Sequence, residues 1–217
     1  AALEKNADAA LKVLVDNATT EELATAVQND PKLLEKLDKL EDKFVEQNNI
    51  TVKQSVSTQA AKVVDEKKIS VVGAGFNAKP GDTVRLNIAI PVKQEKVNTS
   101  IYPNAVQLDI KLVSDSGEIK NLKVPVTITM PVPQGVKKDN LAILHYKTDG
   151  SYDVLIPKQN ADGTITFTVS HFSTFVFAQS ASVTAPKTGE QIAWTIYGLA
   201  ILGMIGAMVY VFTRKKE

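Results

Sequence analysis

The chain has 217 residues, of which 44% are hydrophobic and 6% aromatic, and its formal net charge is +1. That length suits one or two small domains, and the near-neutral balance supplies no whole-chain field for nucleic acid. With no cysteine there are no disulfides, thiolate metal sites or thiol nucleophiles, and two histidines are too few for a multi-histidine metal centre.

The opening, AALEKNADAALKVLVDN, is a charged amphipathic pattern without a basic stretch leading into an apolar one. The expectation is a fragment of something longer, ahead of the alternative that a leader has been removed. The segment 1–48 reads as helical, with helices near 2–17, 20–28 and 31–47. Thr19 and Glu22 have capping-box spacing, so Thr19 is the predicted N-cap of the second helix. Asp30-Pro31 is an N-cap followed by proline at the first helical position. Leu33, Leu37, Leu40 and Phe44 then recur at helical spacing with charges between them. Such helices bury little alone and are expected to pack on the region that follows or on upstream sequence. Their interspersed charges keep them out of a membrane.

After Asn49 the period changes to two. Val84, Leu86, Ile88 and Ile90 alternate with more polar positions, as do Val106, Leu108, Ile110 and Leu112, and Val124, Val126, Ile128 and Met130. Pro80-Gly81-Asp82, Asp115-Ser116-Gly117, Asp149-Gly150 and Asp162-Gly163 mark turns between such runs. The last two predict hairpins that join strands near 141–148, 151–156 and 164–170. The pattern predicts an antiparallel β-sandwich of seven to nine strands over 51–178. Pro125, Pro131 and Pro133 are expected at sheet edges or strand ends.

Several local matches lack the context that their chemistry needs. Gly73, Gly75 and Ala78 fit the dinucleotide fingerprint G-x-G-x-x-A, but Lys79-Pro80-Gly81-Asp82 follows where a helix is required. The glycines are read as serving a turn or bulge. Lys187-Thr188-Gly189 matches the K-T-G of β-lactamase-type enzymes, which also need S-x-x-K, and that tetrapeptide does not occur here. His145 and His171 are read as structural, hydrogen-bonding histidines. No nucleophile–base pair is visible, so catalytic residues, metal ligands and cofactor are all predicted as none.

The stretch Ile192 to Phe212 carries no charge in 21 residues. A helix of that length is about 31 Å long and matches a hydrocarbon core of about 30 Å. Trp194, Tyr197 and Tyr210 stand near its ends as interfacial aromatics do. Arg214, Lys215 and Lys216 follow in the tail 213–217, so the tail is predicted to be cytoplasmic and to resist being pulled through. Just upstream, in the linker 179–191, lies Ala185-Pro186-Lys187-Thr188-Gly189.

This order of pentapeptide, apolar span and basic tail resembles the cell-wall sorting signal of Gram-positive surface proteins, usually Leu-Pro-any-Thr-Gly. The resemblance implies recognition of Ala185 to Gly189 by the membrane transpeptidase sortase. It implies cleavage between Thr188 and Gly189, and transfer of the Thr188 carbonyl through an acyl-enzyme to an amine of the peptidoglycan precursor. Pro186 would fix a bent, extended presentation, Lys187 fills the variable position, and Gly189 removes bulk at the scissile bond. The departure is Ala185. Loss of most of a leucine side chain from an apolar pocket costs about 2 kcal/mol of binding.

The segment Ile128 to Ala178 resembles a β-rich module common in Firmicute surface proteins, on Pro131-Val132-Pro133, Leu141 to Tyr146 and His171 to Val176. That likeness implies an extracellular sandwich and no particular ligand. The combined expectation is an α+β chain: an N-terminal helical segment, an antiparallel β-sandwich and a single C-terminal transmembrane helix. Its partners would be sortase, peptidoglycan and the lipid membrane, with no nucleic acid. It would sit at the cell surface as a non-catalytic anchor and stalk. The alternatives are an adhesin-like binding module, or the anchor of an enzyme whose catalytic domain lies upstream of residue 1.

Overall fold

A computed structural model describes residues 13, 15, 17–97 and 101–179 of the chain. It is a mixed α+β structure, mostly sheet, with two α-helices of more than one turn among the described residues. These are α1 (Thr20–Asn29) and α2 (Pro31–Gln47). The Thr19 hydroxyl accepts from the backbone of Glu22, and the Glu22 carboxylate accepts from the Thr19 N–H at 2.9 Å, closing the expected capping box. Asp30 ends α1 and caps α2, accepting the Lys32 N–H at 2.9 Å, with Pro31 behind it where no N–H is needed. The expected helix near 2–17 lies largely outside the described residues.

Eleven strands follow among the described residues. They are β1 (Thr51–Val56), β2 (Ser70–Val72), β3 (Thr83–Ala89), β4 (Val106–Ser114), β5 (Gly117–Glu118), β6 (Asn121–Pro131), β7 (Leu141–Tyr146), β8 (Tyr152–Leu155), β9 (Lys158–Gln159), β10 (Thr164–His171) and β11 (Thr174–Gln179). A seven-stranded sheet has the order β1-β3-β4-β11-β7-β8, with β5 paired to β4, and a four-stranded sheet has the order β2-β6-β10-β9. The larger sheet contributes Leu86, Ile88, Leu108, Ile110, Ile143, Phe175 and Phe177 to one continuous core. The smaller contributes Val126, Ile128, Met130, Ile165, Phe167 and Val169. Each set sits at every second position of its strand, as period-two alternation requires.

Three expectations need correction. The strand number exceeds the predicted seven to nine because two-residue pairings such as β5 and β9 leave no periodic signature. The pairing is not wholly antiparallel, since β1 runs parallel to β3, Thr51 to Val56 against Thr83 to Ile88. The chain leaves β1, crosses to the smaller sheet to form β2, and returns in the same sense, which gives a parallel neighbour. Pro125 is in the interior of β6, an inner strand, and not at an edge. It is tolerated because the β6–β10 register breaks there: Val126 pairs with Val169 but Asn121 pairs with His171. The missing N–H falls inside that irregularity.

The helices pack on the outer side of the smaller sheet. Leu23 and Val27 of α1, Leu37 of α2 and Val124 of β6 form a second buried cluster. The Thr20 hydroxyl donates to the Leu122 carbonyl at 2.9 Å. The Gln28 side chain accepts the Thr168 N–H at 3.1 Å, satisfying a β10 donor beyond the short β9. Thr127 and Thr168 face each other beneath, hydroxyls 2.9 Å apart, and Thr129 and Thr166 repeat the pairing at 2.8 Å.

Candidate functional site

Residues of three kinds could carry chemistry here: the glycine turn after β2, the two histidines, and the C-terminal pentapeptide with its basic tail. The glycine turn is built by Asn77. Its side-chain amide donates to the Gly73 and Val124 carbonyls at 2.8 and 2.9 Å, and its Oδ1 accepts the Lys123 N–H at 2.7 Å. Gly73 has φ +96, and a Cβ there would run into the Pro125 carbonyl oxygen. A three-residue 3-10 turn, Gly75–Asn77, follows.

The backbone N–H groups of Gly73 and Gly75 point at one carboxylate, that of Glu41 on α2. Glu41 is 5% exposed, and its Oε1 lies 2.5 Å from the Gly75 nitrogen. Burial pushes its pKa up to about 7, against the two N–H donors, which favour the ionised form; Asp38 and Asp42 add a smaller upward push. The donors that a pyrophosphate would need are therefore occupied by the chain's own helix. The dinucleotide reading is excluded both by the missing α-helix and by this occupant.

Sequence reasoning did not identify Glu41. The signal was its position four after Leu37 and three before Phe44, on the buried stripe of α2, where a carboxylate needs a partner. Beside it, Leu40, Phe44, Phe76 and Val124 line a cleft of about 530 Å³, with Lys43 and Lys123 also on its walls. The Phe44 and Phe76 rings meet at 5.1 Å between centroids.

The two histidines, read from the sequence as structural, are packed against each other. His145 of β7 and His171 of β10 stack at 4.1 Å between ring centroids, and His145 stacks on Phe175 at 4.2 Å. Neither Nε2 has a hydrogen-bond partner among the described residues. His145 is 2% exposed, and burial lowers its pKa to about 3, with His171 beside it acting in the same direction. Burial also holds His171 below its ordinary value. Both imidazoles are inward-facing in alternation, at the ends of the series Leu141, Ile143, His145 and Ile165, Phe167, Val169, His171. The two sheets bring together residues 26 positions apart in sequence.

Ala185, Pro186, Lys187, Thr188 and Gly189, the span 192–212, and Arg214, Lys215 and Lys216 lie outside the described residues. Among the described residues no helix is long and apolar enough to cross a membrane. The last described strand, β11, ends at Gln179, six residues before Ala185. It lies inside the larger sheet, paired antiparallel with β4 on one side and β7 on the other. Phe175 and Phe177 fix it in the core. The chain matches no protein-family model and no curated protein.

Proposed function

We propose that this chain is the anchoring and stalk region of an extracellular surface protein. In this reading the helix 192–212 holds it in the membrane with Arg214, Lys215 and Lys216 inside. Sortase then cleaves Thr188–Gly189 and transfers the Thr188 carbonyl to a peptidoglycan amine, leaving the chain covalently on the wall. The observation that carries the reading is the order of Ala185-Pro186-Lys187-Thr188-Gly189, an uncharged run and a cationic tail. A C-terminal β-sandwich placed before such a signal would act as a spacer.

The position of β11 supports the same reading. A tether attached after Gln179 pulls on a strand with neighbours on both sides and two buried phenylalanines. Extracting it requires breaking two ladders together, whereas an edge strand would peel from one.

Cell fractionation tests the proposal. Native chain should distribute to the wall, and Thr188→Ala should accumulate in the membrane at full length. If both remain wholly in the membrane, sorting is abandoned and a simple membrane anchor is left. A second reading, an adhesin-like binding module, is favoured by one observation: Tyr152 and Val154 of β8, and Ile156 just after it, are all about half exposed.

A further inference from the structure

The hairpin β7–β8 brings two tyrosines together on the face of the larger sheet opposite the inward-turned His145. The turn fixes their pairing. The Asp149 carboxylate accepts the Ser151 N–H at 2.9 Å and the Ser151 hydroxyl at 2.6 Å, and Gly150 turns the chain at φ +85. The Lys147 N–H donates to the Ser151 carbonyl at 2.7 Å, so Lys147 and Ser151 form a hydrogen-bonded pair. Tyr146 and Tyr152, next in register, are then a non-hydrogen-bonded pair, the kind whose side chains lie closest. Their ring centroids are 5.3 Å apart and the rings are tilted by 50°. Among the described residues they are the only two tyrosines whose rings meet.

Neighbours hold this contact in place. Lys96 Nζ lies 5.2 Å from the centroid of the Tyr146 ring, and the Tyr146 hydroxyl donates to the Lys96 carbonyl at 3.4 Å. The Lys147–Asp153 ion pair, at 2.8 Å, ties the two strands beside the rings. Tyr152 is 48% exposed, whereas Tyr146 is partly buried. An oxidant in solution therefore meets Tyr152 first, and Tyr152 is in ring contact with the second phenol.

We propose that Tyr146 and Tyr152 are a site of oxidative cross-linking, joined as dityrosine by a one-electron oxidant of the peroxidase and hydrogen peroxide class. Each phenol gives up one electron, and its proton goes to solvent. The two phenoxyl radicals couple through ring carbons ortho to the oxygens, forming one C–C bond. The hydrogen on each coupled carbon leaves as a proton, each oxygen regains one, and both rings become aromatic again. The chain loses two hydrogen atoms in all, and one hydrogen peroxide is reduced to two waters. Radicals on separate molecules must meet by diffusion, whereas this pair is held in contact by its own turn. The bond would tie β8, which among the described residues pairs with β7 alone, covalently to the sheet. No disulfide does this in a chain without cysteine. The proposal does not depend on the anchoring reading.

Treatment of the full chain, in non-ionic detergent, with a haem peroxidase and limiting hydrogen peroxide tests it. Trypsin cuts after Lys138, Lys147 and Lys158, so the cross-linked hairpin leaves as peptide 139–147 joined to peptide 148–158 by the new bond alone. The expected product has dityrosine fluorescence, stays monomeric in size, and yields this linked pair at a mass two hydrogen atoms below the sum. Its yield per chain should not change on dilution. Tyr152→Phe should lower the yield at least about tenfold, and Tyr102→Phe should leave it unchanged. Tyr152 is half exposed, and unchanged melting of Tyr152→Phe would show that its fold is intact. Peroxide consumed with no linked pair formed would overturn the proposal. So would dityrosine confined to dimers, or fluorescence as strong in Tyr152→Phe as in the native chain.

Discussion

The Glu41 carboxylate and the Gly75 N–H meet at 2.5 Å although the two residues are 34 apart in the chain. The contact, shared with the Gly73 N–H, joins α2 to the turn that leaves β2. It closes a polar arrangement at the boundary of the helical layer. A β-branched or larger residue at position 75 has no room, since even a Cβ would press on Val45 and lie 2.9 Å from Glu41 Oε1.

That contact makes α2 docking depend on pH. The folded pKa of Glu41, about 7, is above the ordinary carboxylate value of 4.5, so the folded state binds the proton more tightly. Its contribution to stability is fullest below pH 4.5 and is lost as pH rises toward 7, by about 3 kcal/mol in all. Glu41→Gln does not titrate. The stability advantage of native chain over Glu41→Gln should shrink by about that amount between pH 4.5 and 8. Urea melts at four pH values measure it, and a constant difference would contradict the assignment.

The two glycines should respond to alanine for different reasons. At Gly73, with φ +96, a Cβ meets the Pro125 carbonyl, and backbone cannot step aside. At Gly75 the obstacles are side chains, Val45 and Glu41. Gly73→Ala should cost more than about 2 kcal/mol and Gly75→Ala about 1–3 kcal/mol. Gly81, at φ +86 with open space around it, is the control and should cost only about 1 kcal/mol. Equal losses at Gly73 and Gly81 in urea melts would show that the close approach has no energetic weight.

The stacked histidines predict the opposite pH slope. His145 has a folded pKa near 3 against an ordinary 6.5, so the folded state binds its proton more weakly. Stability is present above pH 6.5 and lost as pH falls toward 3, with a ceiling of about 4–5 kcal/mol. Asp153 partly offsets that shift at both rings, Lys147 adds to it, and Glu21 offsets it at His171. His145→Phe removes an unpaired buried nitrogen and should be neutral or stabilising by about 1 kcal/mol at pH 7. Its advantage should grow steadily on acidification. Between pH 4.5 and 6.5 the Glu41 and His145 effects oppose each other, so the native profile is flatter than that of either variant. A His145→Phe profile parallel to native from pH 7 to 4 would contradict the burial argument.

Local signals in the sequence were sufficient for local structure. The Thr19–Glu22 and Asp30-Pro31 caps, the inward sets on β3, β4 and β6, and the hairpin at Asp149-Gly150 all follow from short-range spacing. What spacing cannot supply is how the sheets face each other. The His145–His171 stack and the seating of Glu41 on Gly73 and Gly75 each join elements distant in sequence. The parallel β1–β3 pair has the same origin, because a strand's own pattern does not state which neighbour it will take. Pro125 misled for a related reason: the bulge that admits it is a property of β6 and β10 together.

The anchor is the central claim, and one measurement bears on it most directly. Wall material from cells that carry the native chain would be digested with a muramidase, and the C-terminal peptides identified by mass. The account predicts a peptide that ends at Thr188, its carbonyl amide-linked to a wall-peptide amine, with Gly189 to Glu217 missing. Thr188→Ala should abolish that species. Ala185→Leu, which restores the apolar side chain worth about 2 kcal/mol of recognition, should increase it. Recovery of the chain only from membranes, with Gly189 to Glu217 intact and no species ending at Thr188, would contradict the account.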